Sequence, residues 1–178
     1  CAIGVIDLPA GDHVIEVLLA NRILSTVIQL MATPGEITVE GATDKWRFPG
    51  HKAAGDLAWP GTDPAGWTVT RTDREPTGPK LTNLVTGFAL AGSGAGKTVE
   101  GVEKINYIDS GGAGDIEFPD PVPFPGDKPG WEDGYVIKGN ANLVIPRDGI
   151  YHIGFHADAC GAMRIIGQSW KRLVRDTS

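Results

Sequence analysis

The sequence lacks a surplus of basic residues, since 16 lysines and arginines stand against 22 acidic residues and leave a net charge of −6. A nucleic-acid-binding surface must neutralise phosphates, so this balance argues against nucleic acid as a partner. The sequence also lacks a run of about eighteen apolar residues and therefore predicts no membrane-spanning helix. Cysteine is scarce. Cys1 and Cys160 allow one disulfide at most, and they leave open both the redox compartment and whether Cys1 is free, bridged or lipidated.

Helical periodicity is missing too. No stretch repeats apolar residues at a spacing of about 3.6, and the best helix candidate, Thr98–Lys104, is short and contains Gly101. The 25 glycines and 13 prolines are too many for a helical bundle, whereas 41% hydrophobic residues are too many for a disordered chain. Strands at short spacing with Gly/Pro turns predict an all-β fold in one domain, as an antiparallel β-sandwich or a barrel.

The stretch from Gly134 to Trp170 has the clearest strand pattern. It predicts three strands in succession: Tyr135–Lys138 with Asn142–Ile145, then Ile150–His156, then Ala162–Ile166. In the second of these strands Tyr151, Ile153 and Phe155 alternate with His152, Gly154 and His156. Because side chains alternate between the two faces of a strand, we expect the aromatic and branched set to face the core. The polar loop Asp158–Gly161 lies where a sandwich would present a binding loop.

The rest of the chain alternates between strands and loops. Further strands are predicted at Ala2–Leu8, His13–Leu19, Ser25–Met31, Glu36–Val39, Trp46–Phe48, Trp67–Arg71 and Lys104–Ile108. Residues 49–66 are rich in proline and glycine and predict a linker or loop. Leu81–Leu90 is an apolar segment whose structure the pattern does not assign. The Pro-containing turn after Leu8 parallels the one after Ile145, and each joins two predicted strands.

One motif carries the spacing of a phosphate-binding loop. Ala91–Thr98 follows an apolar segment, and in such a loop Lys97 would reach the terminal phosphate while Thr98 held magnesium beside the backbone of Gly96. That chemistry needs a helix that begins at the motif and a parallel α/β sheet around it. Neither pattern follows here, so a Gly-rich loop is the better interpretation and nucleotide binding is the third hypothesis.

Few other groups of residues match a known catalytic pattern, and the sequence predicts that the protein is not an enzyme. His152 and His156 share one face of a strand, and Asp158 would complete a metal site with them. The competing interpretation is that both histidines are solvent-facing or half-buried strand residues. No Ser, Thr or Cys lies in a recognisable nucleophile turn, and Cys160 has no base nearby except these histidines.

Two groups of segments carry a resemblance to one family. The first group contains Ile105–Asp109, Phe124–Gly126, Trp131–Val136, Asn142–Ile145, Gly149–Phe155 and Asp158–Gly167. The second is Val5–Leu30, with its turn at Leu8–His13. The first group resembles the first half of a PA14-like β-sandwich domain, and the second is similar to the second half. The halves are therefore inverted: residues 1–48 correspond to the C-terminal half and residues 67–178 to the N-terminal half. The domain is either circularly permuted and closes on itself, or is completed by strands of a neighbouring copy.

The resemblance implies a non-catalytic extracellular or cell-surface module. The first hypothesis is a structural or adhesive repeat, or a self-assembling subunit of a bacterial surface assembly, whose partners are copies of itself. The alternative is a carbohydrate-binding module, because several PA14-like domains bind glycans through a calcium ion held by two adjacent acids. Asp158 matches one acid, but Ala159 and Cys160 stand where the second would lie, which weakens a calcium loop. The candidate ligand-binding residues are Asp158, His156, Asp109 and Trp131, with Asp158 as the candidate metal ligand.

Overall fold

The computed structural model describes residues 2–22, 26–35, 46–49, 61–62, 66–109, 120–127, 134–158 and 160–175, and within them the chain is all-β. These residues form twelve strands and one helix: β1 (Ala2–Leu8), β2 (Gly11–Asn21), β3 (Val27–Pro34), β4 (Gly61–Thr62), β5 (Trp67–Asp73), α1 (Leu84–Ala91), β6 (Lys97–Val102), β7 (Asn106–Ile108), β8 (Val122–Pro123), β9 (Tyr135–Ile145), β10 (Gly149–Ala157), β11 (Cys160–Ile165) and β12 (Arg172–Arg175). The predicted all-β class is confirmed.

The strands form two sheets, named here after their central strands. The β10 sheet has the order β12-β1-β10-β3-β7-β8, and the β9 sheet has the order β11-β2-β9-β5-β6 with β4 also beside β9. Described neighbours are antiparallel except β7 and β8, which are parallel. The longest pairing joins β2 to β9, with Gly11 opposite Ile145 and Asn21 opposite Tyr135. The N-terminal strands thus complete both sheets within the same chain.

One cluster of buried side chains joins the two sheets. Strand β2 contributes Ile15, Val17 and Leu19, and β10 contributes Tyr151, Ile153 and Phe155, the face that alternation predicted to be inward. Both sets follow the period of two that a half-buried strand requires. Gly139 on β9 allows the side chains of Val17 and Ile105 to pack closely against the backbone. A Cβ at this position would lie 2.9 Å from a methyl group of Val17 and 3.2 Å from one of Ile105.

The two Pro-containing turns have the same role in the fold. The first carries the chain from β1 in the β10 sheet to β2 in the β9 sheet, and the second carries it from β9 back to β10. Leu8 lies opposite Gly149 and Gly11 lies opposite Ile145, so the turns sit side by side at one end of the molecule. The two turns of similar sequence therefore lie next to each other in space.

Helix α1 covers the outer face of the β9 sheet. Its residues Leu84, Leu90 and Ala91 pack against a second buried cluster of Leu18, Ala20, Leu81 and Val136. The helix approaches the sheet closely at Gly87, since a Cβ on this residue would lie only 2.9 Å from the Cβ of Ala20. The helix has eight residues, and no helix in the described part of the chain is long and apolar enough to cross a membrane.

The structure corrects several predicted elements. Thr98–Lys104 is not a helix, because Lys97–Val102 forms strand β6 beside β5. The apolar segment Leu81–Leu90 instead contains the helix. Two predicted segments of the C-terminal stretch merge into the continuous strand β9. Of the predicted linker, Gly61–Thr62 pairs with β9, while the predicted strand Glu36–Val39 lies outside the described residues.

The described chain begins and ends in neighbouring strands. Strand β12 pairs antiparallel with β1, and Arg175 lies opposite Ala2. Antiparallel partners are about 5 Å apart, so both ends of the described chain meet at one edge of the β10 sheet.

Candidate binding site

The predicted binding loop lies where the chain passes from the β10 sheet to the β9 sheet. Asp158 follows β10, and its backbone N donates a hydrogen bond of 3.1 Å to the carbonyl oxygen of Val27. Cys160 begins β11 opposite Ala20. Both side chains are exposed, and Cys160 is a free thiol. The backbones of Asp158 and Cys160 are therefore held to the β10 and β9 sheets respectively, and both side chains are exposed.

These two side chains line a pocket of about 260 Å³, called the end pocket here. Its other lining residues come from the end of β2 and from the segment before α1: Ala20, Arg22, Leu81, Thr82 and Asn83. Three stretches that are distant in the sequence thus converge on one concave surface. The lining includes a cation, a carboxylate, an amide and a hydroxyl over an apolar base, a combination typical of small polar-ligand sites.

The start of α1 holds one wall of the end pocket in place. Asn83 is the N-cap residue, and its side-chain oxygen accepts a hydrogen bond of 3.0 Å from the backbone N of Thr86. The hydroxyl of Thr86 in turn accepts from the backbone N of Thr82 at 3.1 Å. Leu81 is 4% exposed and packs into the cluster beneath α1. A capped helix end and a buried leucine therefore fix the backbone of this wall.

The charges of the end pocket do not suit a calcium ion. Calcium takes about six to eight oxygen ligands and favours several carboxylates. Here Asp158 shares the pocket with the guanidinium of Arg22, which repels a cation. In the described part of the chain, no three His, Cys, Asp or Glu side chains come together closely enough to hold a metal. Together Arg22 and Asp158 provide hydrogen-bond donors and an acceptor in the same pocket.

Of the four predicted ligand-binding residues, Asp158 alone lines the pocket. Asp109 lies on the other side of β3, where its backbone N donates to the carbonyl oxygen of Thr26 at 3.0 Å. Its carboxylate is buried and accepts a hydrogen bond of 3.1 Å from the hydroxyl of Tyr135. His156 is 7% exposed and lies opposite Gln29 within the β10 sheet. Trp131 lies outside the described residues.

The histidines of β10 also depart from prediction. His152 and His156 are buried rather than solvent-facing, because the outer face of this strand is covered. A Cβ on Gly154, between them, would meet the side chains of Met31 at 2.7 Å and Trp46 at 3.6 Å. The Nδ1 atom of His152 lies 2.7 Å from the carbonyl oxygen of Gly35, which gives this ring a structural partner.

The Gly-rich motif lies between a helix and a following strand, which is the reverse of the strand-to-helix order around a phosphate-binding loop. A phosphate loop runs from a strand into the N-terminus of a helix, where backbone amides meet the anion. Here the segment leaves the C-terminus of α1 at Gly92 and enters strand β6 at Lys97. Thr98 also has a structural partner, because its hydroxyl lies 2.9 Å from that of Thr70. The geometry thus favours a connecting loop.

A buried ionic cluster lies at one end of the core, centred on Arg71. Its Nε donates to Asp73 at 2.7 Å, and its Nη1 donates to Asp127 at 2.8 Å. The guanidinium carbon lies 4.1 Å from the ring centroid of Tyr135. Burial lowers the pKa of Arg71, but hydrogen bonds and charge from Asp73 and then Asp127 outweigh it and raise the pKa. The cluster has a structural role, since its charges pair with one another.

Sequence reasoning missed Arg22, Thr82 and Asn83. Asn83 did carry a signal, because an Asn before an apolar run is a typical helix N-cap. Arg22 carries none, since a single arginine after a predicted strand is ordinary. Comparison of the chain with protein-family models, with curated proteins and with solved structures gives no match. The residues of the end pocket therefore carry the functional argument by themselves.

Proposed function

We propose that this chain is a non-catalytic, extracellular binding module whose end pocket takes a glycan without calcium. Its two sheets are proposed to form a β-sandwich of PA14-like type in permuted order. The observation that carries the binding proposal is the convergence of Asp158, Arg22 and Asn83 on one pocket. A carboxylate accepts hydrogen bonds from sugar hydroxyls, and a guanidinium and an amide donate to them.

The size of the end pocket sets the kind of ligand. Drug-sized pockets measure about 300–1,000 Å³, and this one measures about 260 Å³. It accommodates one sugar ring rather than an extended chain. The ring would be a terminal residue of a longer glycan, because five of the seven lining residues are exposed and the pocket opens to solvent.

The permuted alternative is supported by pairing within the chain. Strands β1 and β2 pair with β10 and β9, respectively. In the PA14-like resemblance, the first two correspond to the second half of the domain and the other two to its first half. Among the described residues, these pairings join strands of one chain. Two of the four edge strands carry features that oppose strand addition. Strand β8 ends in Pro123. Strand β6 has a register shift against β5 and has Gly101 at a φ of 70°.

A glycan array tests the proposal directly. Binding to at least one glycan class is expected, and it is expected to persist in EDTA. Asp158→Asn and Arg22→Gln should each weaken that binding at least about tenfold, because each removes a charged partner from the same pocket. Asp12→Asn, an exposed acid at the opposite end of β2, is the matched control. The proposal would be overturned if the protein bound no glycan on the array, or if neither variant changed the binding.

Assembly from several copies is the second candidate. The observation that favours it is the exposure of two apolar residues, Val14 at 46% and Ile166 at 49%, whose backbones are joined by a hydrogen bond of 2.9 Å from the N of Ile166 to the carbonyl oxygen of Val14. Such a pair suits a contact with a second copy. Light scattering after size-exclusion chromatography should show an oligomer that Val14→Ser/Ile166→Ser dissociates. A monomer at every concentration would exclude this candidate.

A further inference from the structure

A groove lies on the outer face of the β9 sheet beside the C-terminal half of α1, away from the end pocket. Its volume is about 160 Å³, and we call it the α1 groove. Phe88, Ala91 and Ala162 supply apolar surface, and Glu16, Lys138 and Arg164 supply charge. The groove shares no lining residue with the end pocket. It is therefore a second concave site on the same sheet.

The floor of the α1 groove consists of two rows of side chains that run across the paired strands of the β9 sheet. Ala162, Leu18 and Lys138 lie side by side across β11, β2 and β9, and Arg164 and Glu16 lie in the next row. These side chains point away from the core, because their neighbours Val17 and Ile15 belong to the central cluster. Leu18 is only 2% exposed, so Ala162 forms most of the accessible apolar part of the first row. The first row is thus apolar over two strands and cationic at the third.

Helix α1 forms the wall of the groove and presents an aromatic ring there. The close contact at Gly87 holds the helix against Ala20 and Leu18. Phe88, the next residue, remains 49% exposed. The face and edge of this exposed ring are therefore available to contact a ligand in the groove.

The volume and chemistry of the groove match one aromatic ring. A dry protein cavity of about 150 Å³ takes up benzene, and this groove measures about 160 Å³. A bound ring can contact the ring of Phe88 in an offset or edge arrangement.

The charged end of the groove carries one positive charge in excess. Glu16 accepts from the guanidinium of Arg164 at 2.5 Å, whereas the ammonium of Lys138 lies 3.7 Å from the same carboxylate. Two cations thus share one anion. Lys138 is 42% exposed and held at the longer distance, so its ammonium can turn to a ligand carboxylate without breaking the Arg164 pair.

We propose that the α1 groove binds a small aromatic carboxylate, with its ring between Phe88 and Ala162 and its carboxylate on Lys138. The site is additional to the end pocket and needs no glycan. Benzoate, phenylacetate and 3-phenylpropionate are the probes, because they place the carboxylate at increasing distances from the ring. Benzyl alcohol is the uncharged comparison.

Titration of the ¹⁵N-labelled protein by NMR tests this site. A saturable shift of the backbone amides of Leu18, Phe88 and Met163 is expected with the best of the three acids. Lys138→Met keeps the aliphatic stem and should weaken that acid at least about tenfold while leaving benzyl alcohol unchanged. Phe88→Ala should weaken both ligands. Lys171→Met, which removes a lysine paired with Asp7 elsewhere on the surface, is the control and should change neither.

The ¹⁵N spectrum of each variant also reports whether it is folded. The proposal is wrong if all three acids bind no more tightly than benzyl alcohol, or if Lys138→Met leaves their affinity unchanged. It is equally wrong if the shifted amides cluster at the end pocket instead of the α1 groove.

Discussion

The side chain of Asp148 reaches across to the other Pro-containing turn and accepts a hydrogen bond of 2.7 Å from the backbone N of Ala10. The two residues are 138 positions apart in the sequence. Their turns connect the two sheets in opposite directions, so this bond ties together the two crossings between sheets. It also joins the segments that the PA14-like resemblance assigns to different halves of a domain.

We expect Asp148→Ala to destabilise the fold by about 1 kcal/mol, because the amide of Ala10 loses its acceptor at an exposed site. Asp148→Asn keeps an acceptor oxygen and should lose less. Urea unfolding of both variants measures the difference. Asp12→Ala, an exposed acid near the same turn, is expected to stay within about 0.5 kcal/mol of the parent. Equal losses for Asp148→Ala and Asp12→Ala would contradict this role.

Arg71→Met should be among the most destabilising substitutions in the chain. The side chain of Arg71 is 2% exposed and that of its partner Asp127 is 5% exposed, so the variant leaves a buried carboxylate without its cation. Removal of one member of such a pair costs about 3–5 kcal/mol. Asp73→Asn should cost less, since Asp73 is 30% exposed and keeps contact with solvent. Urea or thermal unfolding checks the order of the two, and a smaller loss in Arg71→Met than in Asp73→Asn would refute it.

The stability of the protein should fall steeply above about pH 10. Burial raises the pKa of Tyr107 and Tyr151, and burial together with the carboxylate of Asp109 raises that of Tyr135. An unfolded tyrosine ionises near pH 10, whereas the folded ones keep their protons. The unfolded state therefore gains free energy from ionisation as the pH rises, and the folded state is lost. Urea midpoints at several pH values from 7 to 11 measure this slope.

Tyr107→Phe provides the matched variant for the alkaline experiment. The hydroxyl of Tyr107 is buried and has no hydrogen-bond partner among the described residues. Its removal should be neutral or stabilising at pH 7, because no bond is lost and an unsatisfied polar group disappears. The variant also removes one of three tyrosines from the titration, so the slope above pH 10 should become shallower. An unchanged slope would show that Tyr107 ionises equally in both states.

Gly87→Ala tests the close packing of α1 on the β9 sheet. Alanine is favoured over glycine in a helix by about 1 kcal/mol. Here the added Cβ would lie 2.9 Å from the Cβ of Ala20, which sits on a paired strand and cannot move aside easily. Overpacking costs about 1–3 kcal/mol, so we expect a net loss. Ala20→Gly in the same chain should relieve part of it. Additive losses in the double variant would contradict this explanation.

The pattern within single strands predicted the inner face of the fold well. The alternation of Tyr151, Ile153 and Phe155 identified the core side of β10 from sequence alone, because period two is a local property. It could not predict that His152 would be buried. The outer face of β10 is covered by Met31 and Trp46, which approach from other parts of the chain.

The helix and the end pocket were harder to predict for physical reasons. Leu84–Ala91 contains Gly87 and the β-branched Val85 and Thr86, all of which lower helix propensity, yet packing against Leu18 and Ala20 stabilises it. Asp158 was found because it ends a strongly patterned strand. Arg22 was missed because its role arises only where β2, β10 and the start of α1 meet.

The pairing of Arg175 with Ala2 has a practical consequence for fusions. A segment attached ahead of Ala2 and one attached beyond Arg175 would emerge from adjacent strands that run in opposite directions. A chain carrying several such modules would therefore enter and leave each one at a single corner. Tension along that chain would act directly across the hydrogen bonds between β1 and β12, beginning at the pair Ala2 and Arg175.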